Sequence, residues 1–199
     1  MTEIRRVAII GGNRIPFTRS NTAYSHASNM DMLSAALIGL VERFNLQGER
    51  LGEVAAGAVM KHSRDFNLAR EATLNSGLSL ETPAYDVQQA CGTGLEAAIL
   101  VANKIALGQI DAGIAGGTDT ASDAPLALNE AFRIMMLDLS RAKTVGARLK
   151  VLSRFRPGML VPTPPAPGEP RTGLSMGQHC ELMVKQWMIS REEQDQLTW

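Results

Sequence analysis

Cysteine is nearly absent from this chain of 199 residues: there are two, Cys91 and Cys180. They could pair in principle, but two thiols do not make a disulfide scaffold, and a reducing, cytoplasmic compartment is expected. An excess of charge is also missing. Twenty Lys and Arg balance twenty Asp and Glu, which removes the general electrostatic case for nucleic acid or an anionic membrane as a partner. No uninterrupted apolar run is long enough to span a bilayer, and none follows the opening Met-Thr-Glu-Ile-Arg-Arg. Neither a transmembrane segment nor a secretory signal is therefore expected. Histidine is scarce, and His26, His62 and His179 show no metal-ligand spacing with the two cysteines, so no metal is expected. No internal repeat is visible. What remains is an ordinary globular composition, 45% hydrophobic, long enough for a sizeable core in one or two domains.

Within that composition, one stretch carries chemistry. Residues 84–98 read as strand, sharp turn and helix, with a cysteine in the turn. Pro83 ends what precedes, and Tyr85 and Val87 suit an extended run. Gly92 and Gly94 loosen the backbone after Cys91. Leu95, Ala98, Ile99, Ala102 and Ile105 then repeat at helical spacing. Cys91 is thus expected at, or one turn from, the positive end of a helix, a position that favours the thiolate. A thiolate aimed outward from a strand-to-helix elbow is how folds present a nucleophile. The plainer alternative is a buried structural cysteine.

The rest of the chain supplies a scaffold. Arg6 to Ile10 is an apolar run closed by Gly11-Gly12 and reads as a buried strand. Asn13-Arg14-Ile15-Pro16 follows, so the dinucleotide fingerprint G-x-G-x-x-G is not met, and Arg14 reads as a structural, hydrogen-bonding arginine. Leu33, Ala36, Leu37, Leu40, Val41 and Phe44 form one helix face. Val54 to Met60 reads as a strand thinned by Gly57, Asn67 to Ser76 as a more polar helix, and Ala84 to Ala90 as a third strand. Gly92 to Leu107 reads as a helix ended by Gly108, and Ala112 to Ala115 as a fourth strand. The order β-α-β-α-β-α-β predicts a layered α/β fold with parallel strands and right-handed crossovers. After Asp119 the character changes. Apolar patches alternate with Arg133, Arg141, Lys143, Arg148 and Lys150, and Pro162 to Pro170 is too proline-rich for helix or central strand. Met176, Cys180, Met183, Val184 and Trp187 form a stripe that predicts the buried face of a helix, with Cys180 in the core. Ser190 with Glu193 is a capping box opening a further helix.

Three stretches carry a resemblance. Val87 to Ala97, with Cys91-Gly92-Thr93-Gly94 at its centre, resembles the acylation-site motif of the thiolases. Ile114 to Pro125 is similar to that family's second glycine turn. Ser175 to Glu181, followed by Ser190 to Asp195, is similar to the helix pair closing the family's first half. The resemblance runs from about Ile4 to the last residue. It implies the N-terminal half of a thiolase-like fold, a layered βαβαβαβ mixed sheet with helices plus an inserted loop domain. The implied division is 1–120 for the core, 121–174 for the loop domain with its Pro-rich segment at 162–170, and 175–199 for helices returning to the core. The family continues beyond this point, so the resemblance implies a truncated thiolase.

The activity implied is transfer of acyl groups between coenzyme A thioesters through an acyl-cysteine, in 3-ketoacyl-CoA cleavage or acetoacetyl-CoA synthesis. Cys91 is the implied nucleophile, its own backbone N–H a donor to the oxyanion, and Met176 an implied contact for substrate or coenzyme A. No tightly bound cofactor is implied; coenzyme A and acyl-CoA are substrates. The implied assembly is a homodimer or tetramer, with a β-oxidation enzyme as a further partner. The family's Asn-x-x-Gly-Gly-x-x-x-x-Gly-His-Pro-like and Cys-x-Gly motifs are missing from this sequence, so the chain alone is expected to be inactive. His179 is the one histidine offered as a substitute base, against a structural reading; His26 and His62 have no partner motif. A ketoacyl synthase-type condensing enzyme and a non-catalytic binding or assembly half-domain are the alternatives.

Overall fold

A computed structural model describes residues 4–166 and 168–199. They fall into two units divided between Pro125 and Leu126. The first unit holds the sheet. Helix α1 (Asn29–Phe44) opens with a capping box: the Ser28 hydroxyl accepts from the Asp31 N–H while Asp31 accepts from the Ser28 N–H. Strand β1 (Glu53–Ala56), helix α2 (Leu68–Asn75), strand β2 (Ala84–Asp86), helix α3 (Thr93–Ala106) and strand β3 (Gly113–Ala115) follow. The strands lie in the order β2-β1-β3. Both pairings are parallel, with Val54 opposite Ala84 on one side and Ile114 on the other.

Every residue of β1 is buried, as a central parallel strand requires. Its alternating side chains divide the core. Val54 and Ala56 join Leu33, Leu37 and Val41 of α1 and Leu68, Ala69 and Ala72 of α2. Ala55 faces the other way, with Ala97 and Val101 of α3 and with Val87. The sheet is therefore sandwiched between α1 with α2 and α3, a three-layer α/β arrangement. Buried Glu53 sits on the α3 side, paired with Lys104, and accepts from the Tyr85 hydroxyl at 3.2 Å.

Two expectations fail here. The run Arg6 to Ile10 is no strand: it pairs with nothing in the sheet, and Ile9 and Ile10 are 94% and 85% exposed. β1 pairs directly with both β2 and β3, so no central slot is left for it. The segment is held instead by single contacts. The Arg5 N–H donates to the Ala106 carbonyl, Asn13 to the Ala36 carbonyl and Arg43 to the Gly12 carbonyl. The described sheet thus has three strands, all parallel, rather than four in a mixed sheet. The second and third expected strands are also shorter. Beyond Ala56 comes Gly57, where a Cβ would lie 1.9 Å from the Val87 carbonyl oxygen; the chains are too close there for a ladder of ordinary residues. The residues after Asp86 turn instead of extending.

In the second unit, the stretch where apolar patches alternate with basic residues forms helices α4 (Glu130–Arg141) and α5 (Val145–Leu152), each started by a side-chain cap, Asn129 and Thr144. The Pro-rich segment contributes no helix; Thr163 bridges to Ala127 and Gly168 to Ser175, while Pro167 lies outside the described residues. Helix α6 (Met176–Trp187) and helix α7 (Arg191–Thr198) carry capping boxes from Ser175 with Gln178 and from Ser190 with Glu193. The expected buried face of α6 is not buried. None of its residues is, Trp187 is 65% exposed, and Cys180 is exposed rather than core. The periodicity marked an apolar face truly, but within this unit nothing covers it. Among the described residues, no helix is long and apolar enough to cross a membrane.

Candidate active site

All three strands are parallel, so their carboxyl ends open on one edge of the sheet, where open α/β sheets bind ligands. The first element there is the elbow after β2. The Val87 N–H still bonds the Ala56 carbonyl at 2.9 Å. The chain then folds back on itself: the Gly92 N–H donates to the Gln89 carbonyl at 2.9 Å and the Thr93 N–H to the Ala90 carbonyl at 3.2 Å. The hinge is Ala90, whose φ is +44°, a left-handed conformation costing an L-residue roughly 1–2 kcal/mol. Gly92, by contrast, has φ −85°. The expectation that glycines after the cysteine relax the backbone is thus corrected: the strain falls on the alanine before it. Gly94 meets no neighbour within 4 Å of where a Cβ would stand, so its contribution is open space.

Cys91 immediately precedes Gly92, the N-cap of α3. Its thiol is exposed, against the structural-core alternative, and it sits where the aligned peptide dipoles of α3 present their positive end. The bonds that close the elbow run from Gln89, Gly92 and Thr93; none uses the N–H of Cys91. An exposed sulfur at a helix start, beside an N–H that the elbow's bonds leave unused, can attack a carbonyl and help hold the oxyanion that results.

The second element is the glycine turn after β3. The Gly116 N–H donates to Ala55 and the Thr118 N–H to Gly57, at 3.0 and 2.9 Å. A Cβ on Gly117 would stand 2.8 Å from the Gly57 carbonyl, so this turn can lie against the end of β1 only because it lacks side chains. Asp119 then accepts from the N–H groups of Val59 and Met60, at 2.7 and 3.0 Å, and Gln88 donates to the Val59 carbonyl at 3.3 Å. Elbow, glycine turn and the loop after β1 form one connected shelf. Asp86 does related work beneath it. It pairs with Lys61 and accepts from the first N–H groups of α2, Leu68 at 3.3 Å and Ala69 at 2.7 Å. Neither aspartate was singled out from the sequence; Asp86, the last residue of β2, offers a local signal, whereas Asp119 stands four residues beyond β3 and offers none.

The other candidate residues belong to other elements. Met176 is the first residue of α6 and 61% exposed. The His179 ring lies 3.2 Å from the Thr172 hydroxyl, and His62 is engaged with Asp123. Arg14 does not hydrogen-bond as expected: its guanidinium stacks 3.7 Å over the Phe17 ring. Arg133 is paired with Glu130, which holds the carboxyl of Glu130 below its ordinary range. Arg148 donates to the Ala142 carbonyl. One concavity, about 580 Å³, is bounded by Asp31, Arg64, Asp65 and Asp123 and includes no residue of the elbow. Among the described residues, no group of three or more His, Cys, Asp and Glu could hold a metal.

Comparison with known proteins agrees with this geometry. The family profile "Thiolase, N-terminal domain" matches residues 7–198. The chain is 41% identical over 192 residues to the 3-ketoacyl-CoA thiolase of Vibrio cholerae and 39% to that of Pseudoalteromonas translucida, with 96% of this chain and 44% of each relative covered. The chain therefore spans less than half the length of these curated relatives. The crystal structure of the Bacillus anthracis acetyl-CoA acetyltransferase superposes with a TM-score of 0.77 at 24% identity, over 98% of this chain and 45% of that one, a likeness of fold. On the profile match across nearly its whole length, the chain belongs to the thiolase family, of which it carries the N-terminal domain.

Proposed function

We propose that this chain supplies the acyl-accepting half of an acyl-CoA acyltransferase, with Cys91 as the nucleophile. The observation that carries the proposal is the exposed thiol of Cys91 at the start of α3, on the carboxyl edge of the sheet. The Cys91 thiolate adds to the carbonyl carbon of an acyl-CoA thioester. The tetrahedral oxyanion is held in part by the Cys91 N–H and collapses with cleavage of the carbon–sulfur bond to coenzyme A. Coenzyme A leaves as a thiolate, taking up a proton, and the acyl group stays on Cys91. In synthesis it passes to the carbanion of acetyl-CoA; in the reverse direction coenzyme A cleaves a 3-ketoacyl chain. No tightly bound cofactor takes part.

In this reading residues 121–174 take the part of a loop domain facing coenzyme A, and Met176 contacts the substrate. The activating base and the second acid/base come from a C-terminal half that this sequence does not contain. Base activation is worth on the order of 10²–10⁴-fold and oxyanion donors roughly 10²–10³-fold, so the chain alone is acylated slowly and does not turn over. A cytoplasmic setting, a homodimer or tetramer and a β-oxidation enzyme as partner belong to the same proposal. Self-association is favoured by the outward face of α3, where Leu95 and Ile99 are 70% and 44% exposed; sedimentation at several concentrations showing only monomer would count against it.

The test incubates the purified chain with acetyl-CoA, and separately with acetoacetyl-CoA and coenzyme A, following turnover and covalent mass. One acetyl group on Cys91, absent from Cys91→Ala, with no turnover is the expected result. Turnover near that of an intact thiolase, or acetylation of Cys180 in place of Cys91, overturns the reading.

A further inference from the structure

Ala90 holds a backbone conformation that alanine resists, and the structure shows what opposes its relaxation. Thr93 is 6% exposed, and its hydroxyl makes two bonds at once. It accepts from the Gln89 N–H at 2.9 Å and donates to the Ala90 carbonyl at 2.7 Å. The two groups it joins are the N–H of Gln89 and the carbonyl of Ala90, which bracket these two residues. The hydroxyl thus closes a ring that spans Gln89 and Ala90 and takes in the φ of +44° at Ala90. The Thr93 methyl group lies beside Gly57, 2.9 Å from where a Cβ there would stand, so the threonine can come this near to the end of β1 only because residue 57 is glycine.

We propose that Thr93 is a positioning residue for Cys91: its hydroxyl holds Ala90 in the left-handed conformation that sets the thiol at the start of α3. This rests on the reading of Cys91 as the nucleophile. Thr93 touches no reacting atom. It acts through the elbow, fixing where the sulfur and the Cys91 N–H stand relative to each other, and side chains held by such supporting bonds lose function when the support is removed. Valine has nearly the same shape but neither donates nor accepts. Serine keeps both bonds.

The experiment measures iodoacetamide alkylation of Cys91 by peptide mapping in the full chain, with Cys180 in the same tube as reference. Wild type, Thr93→Val, Thr93→Ser and the double variant Ala90→Gly with Thr93→Val are compared, each checked for folding by circular dichroism. Cys91 outpaces Cys180 in the wild type. With two hydrogen bonds lost, Thr93→Val slows Cys91 on the order of 10-fold and leaves Cys180 unchanged. Thr93→Ser restores the rate. Ala90→Gly in the valine background recovers most of the loss, because glycine adopts the left-handed turn unaided. A Thr93→Val variant that alkylates Cys91 at the wild-type rate, or a loss that serine does not rescue, overturns the positioning role while leaving Cys91 as nucleophile. A wild-type Cys91 no faster than Cys180 overturns the nucleophile reading and this inference with it.

Discussion

Gly57→Ala is a severe test of how the sheet and the elbow fit together. Gly57 is not among the residues of positive φ, so alanine meets no dihedral penalty there; the obstacle is space. The new Cβ would stand 1.9 Å from the Val87 carbonyl oxygen, 2.9 Å from the Thr93 methyl and 3.0 Å from the Val87 carbonyl carbon. The contact with the oxygen must open from 1.9 Å to the 3.4 Å of an ordinary contact. The groups to be moved are main chain, not the end of a flexible side chain. Overpacking of a core costs about 1–3 kcal/mol, and this case belongs at the top of that range. Moving Val87 also stretches its bond to the Ala56 carbonyl, worth about 1 kcal/mol more. A total near 3–4 kcal/mol lowers the melting temperature by roughly 10–20 °C for a unit of this size. Thermal denaturation followed by circular dichroism reads it. Gly94→Ala is the control. It stands in the first turn of α3 with no neighbour within 4 Å, and the change raises stability by about 0.5–1 kcal/mol. A Gly57→Ala variant melting within a degree of the wild type would show that elbow and β1 are not packed as described.

Other perturbations have clear directions. Asp86→Asn keeps the shape but removes the charge that Lys61 and two α2 N–H groups share; a loss of about 2–3 kcal/mol in urea denaturation is expected. Lys104→Met strands the carboxylate of Glu53, which is 3% exposed. Lys104 itself is well solvated, so the cost is reduced to about 1–2 kcal/mol, and adding Glu53→Gln recovers most of it. The Ser28 N–H and hydroxyl hold the Asp31 carboxyl below its ordinary 3.8. A carboxyl depressed on folding stabilises fully above that value and loses its contribution as the pH falls through the lower folded one. Ser28→Ala therefore costs about 1 kcal/mol at neutral pH, and its gap from the wild type narrows below pH 3.8; a gap that is constant or widens in acid contradicts the capping box.

What could be read from the residues alone was local. The capping box at Ser190 needs only a neighbour three positions away; the one at Ser175, equally local, was not singled out. The face of α1 and the ends of α3 follow from helical period and from Gly108. Val7 to Ile10 has the composition of a buried strand, yet composition does not specify a pairing partner, and the central position beside β1 is taken by β3. The stripe from Met176 to Trp187 announces an apolar face, but burial belongs to whatever lies opposite, which no periodicity specifies. At the candidate site, Cys91 and its helix were legible because strand, turn and helix are signalled within fifteen residues. Ala90 was not, since alanine carries no preference for left-handed backbone and is forced there by Thr93. Asp119 was not either, because its partners, Val59 and Met60, are sixty residues away.

The uncovered run at the start of the chain has a consequence for the protein's life in a cell. Val7-Ala8-Ile9-Ile10 is short, β-prone and free of proline, the kind of window that chaperones hold and that seeds aggregation when left bare. Such a segment is exposed even while the sheet behind it is folded, so its hazard adds to that of global unfolding. Replacing Ile9 and Ile10 with charged residues is therefore expected to reduce aggregation of the lone chain, read by light scattering, with little change in its melting temperature.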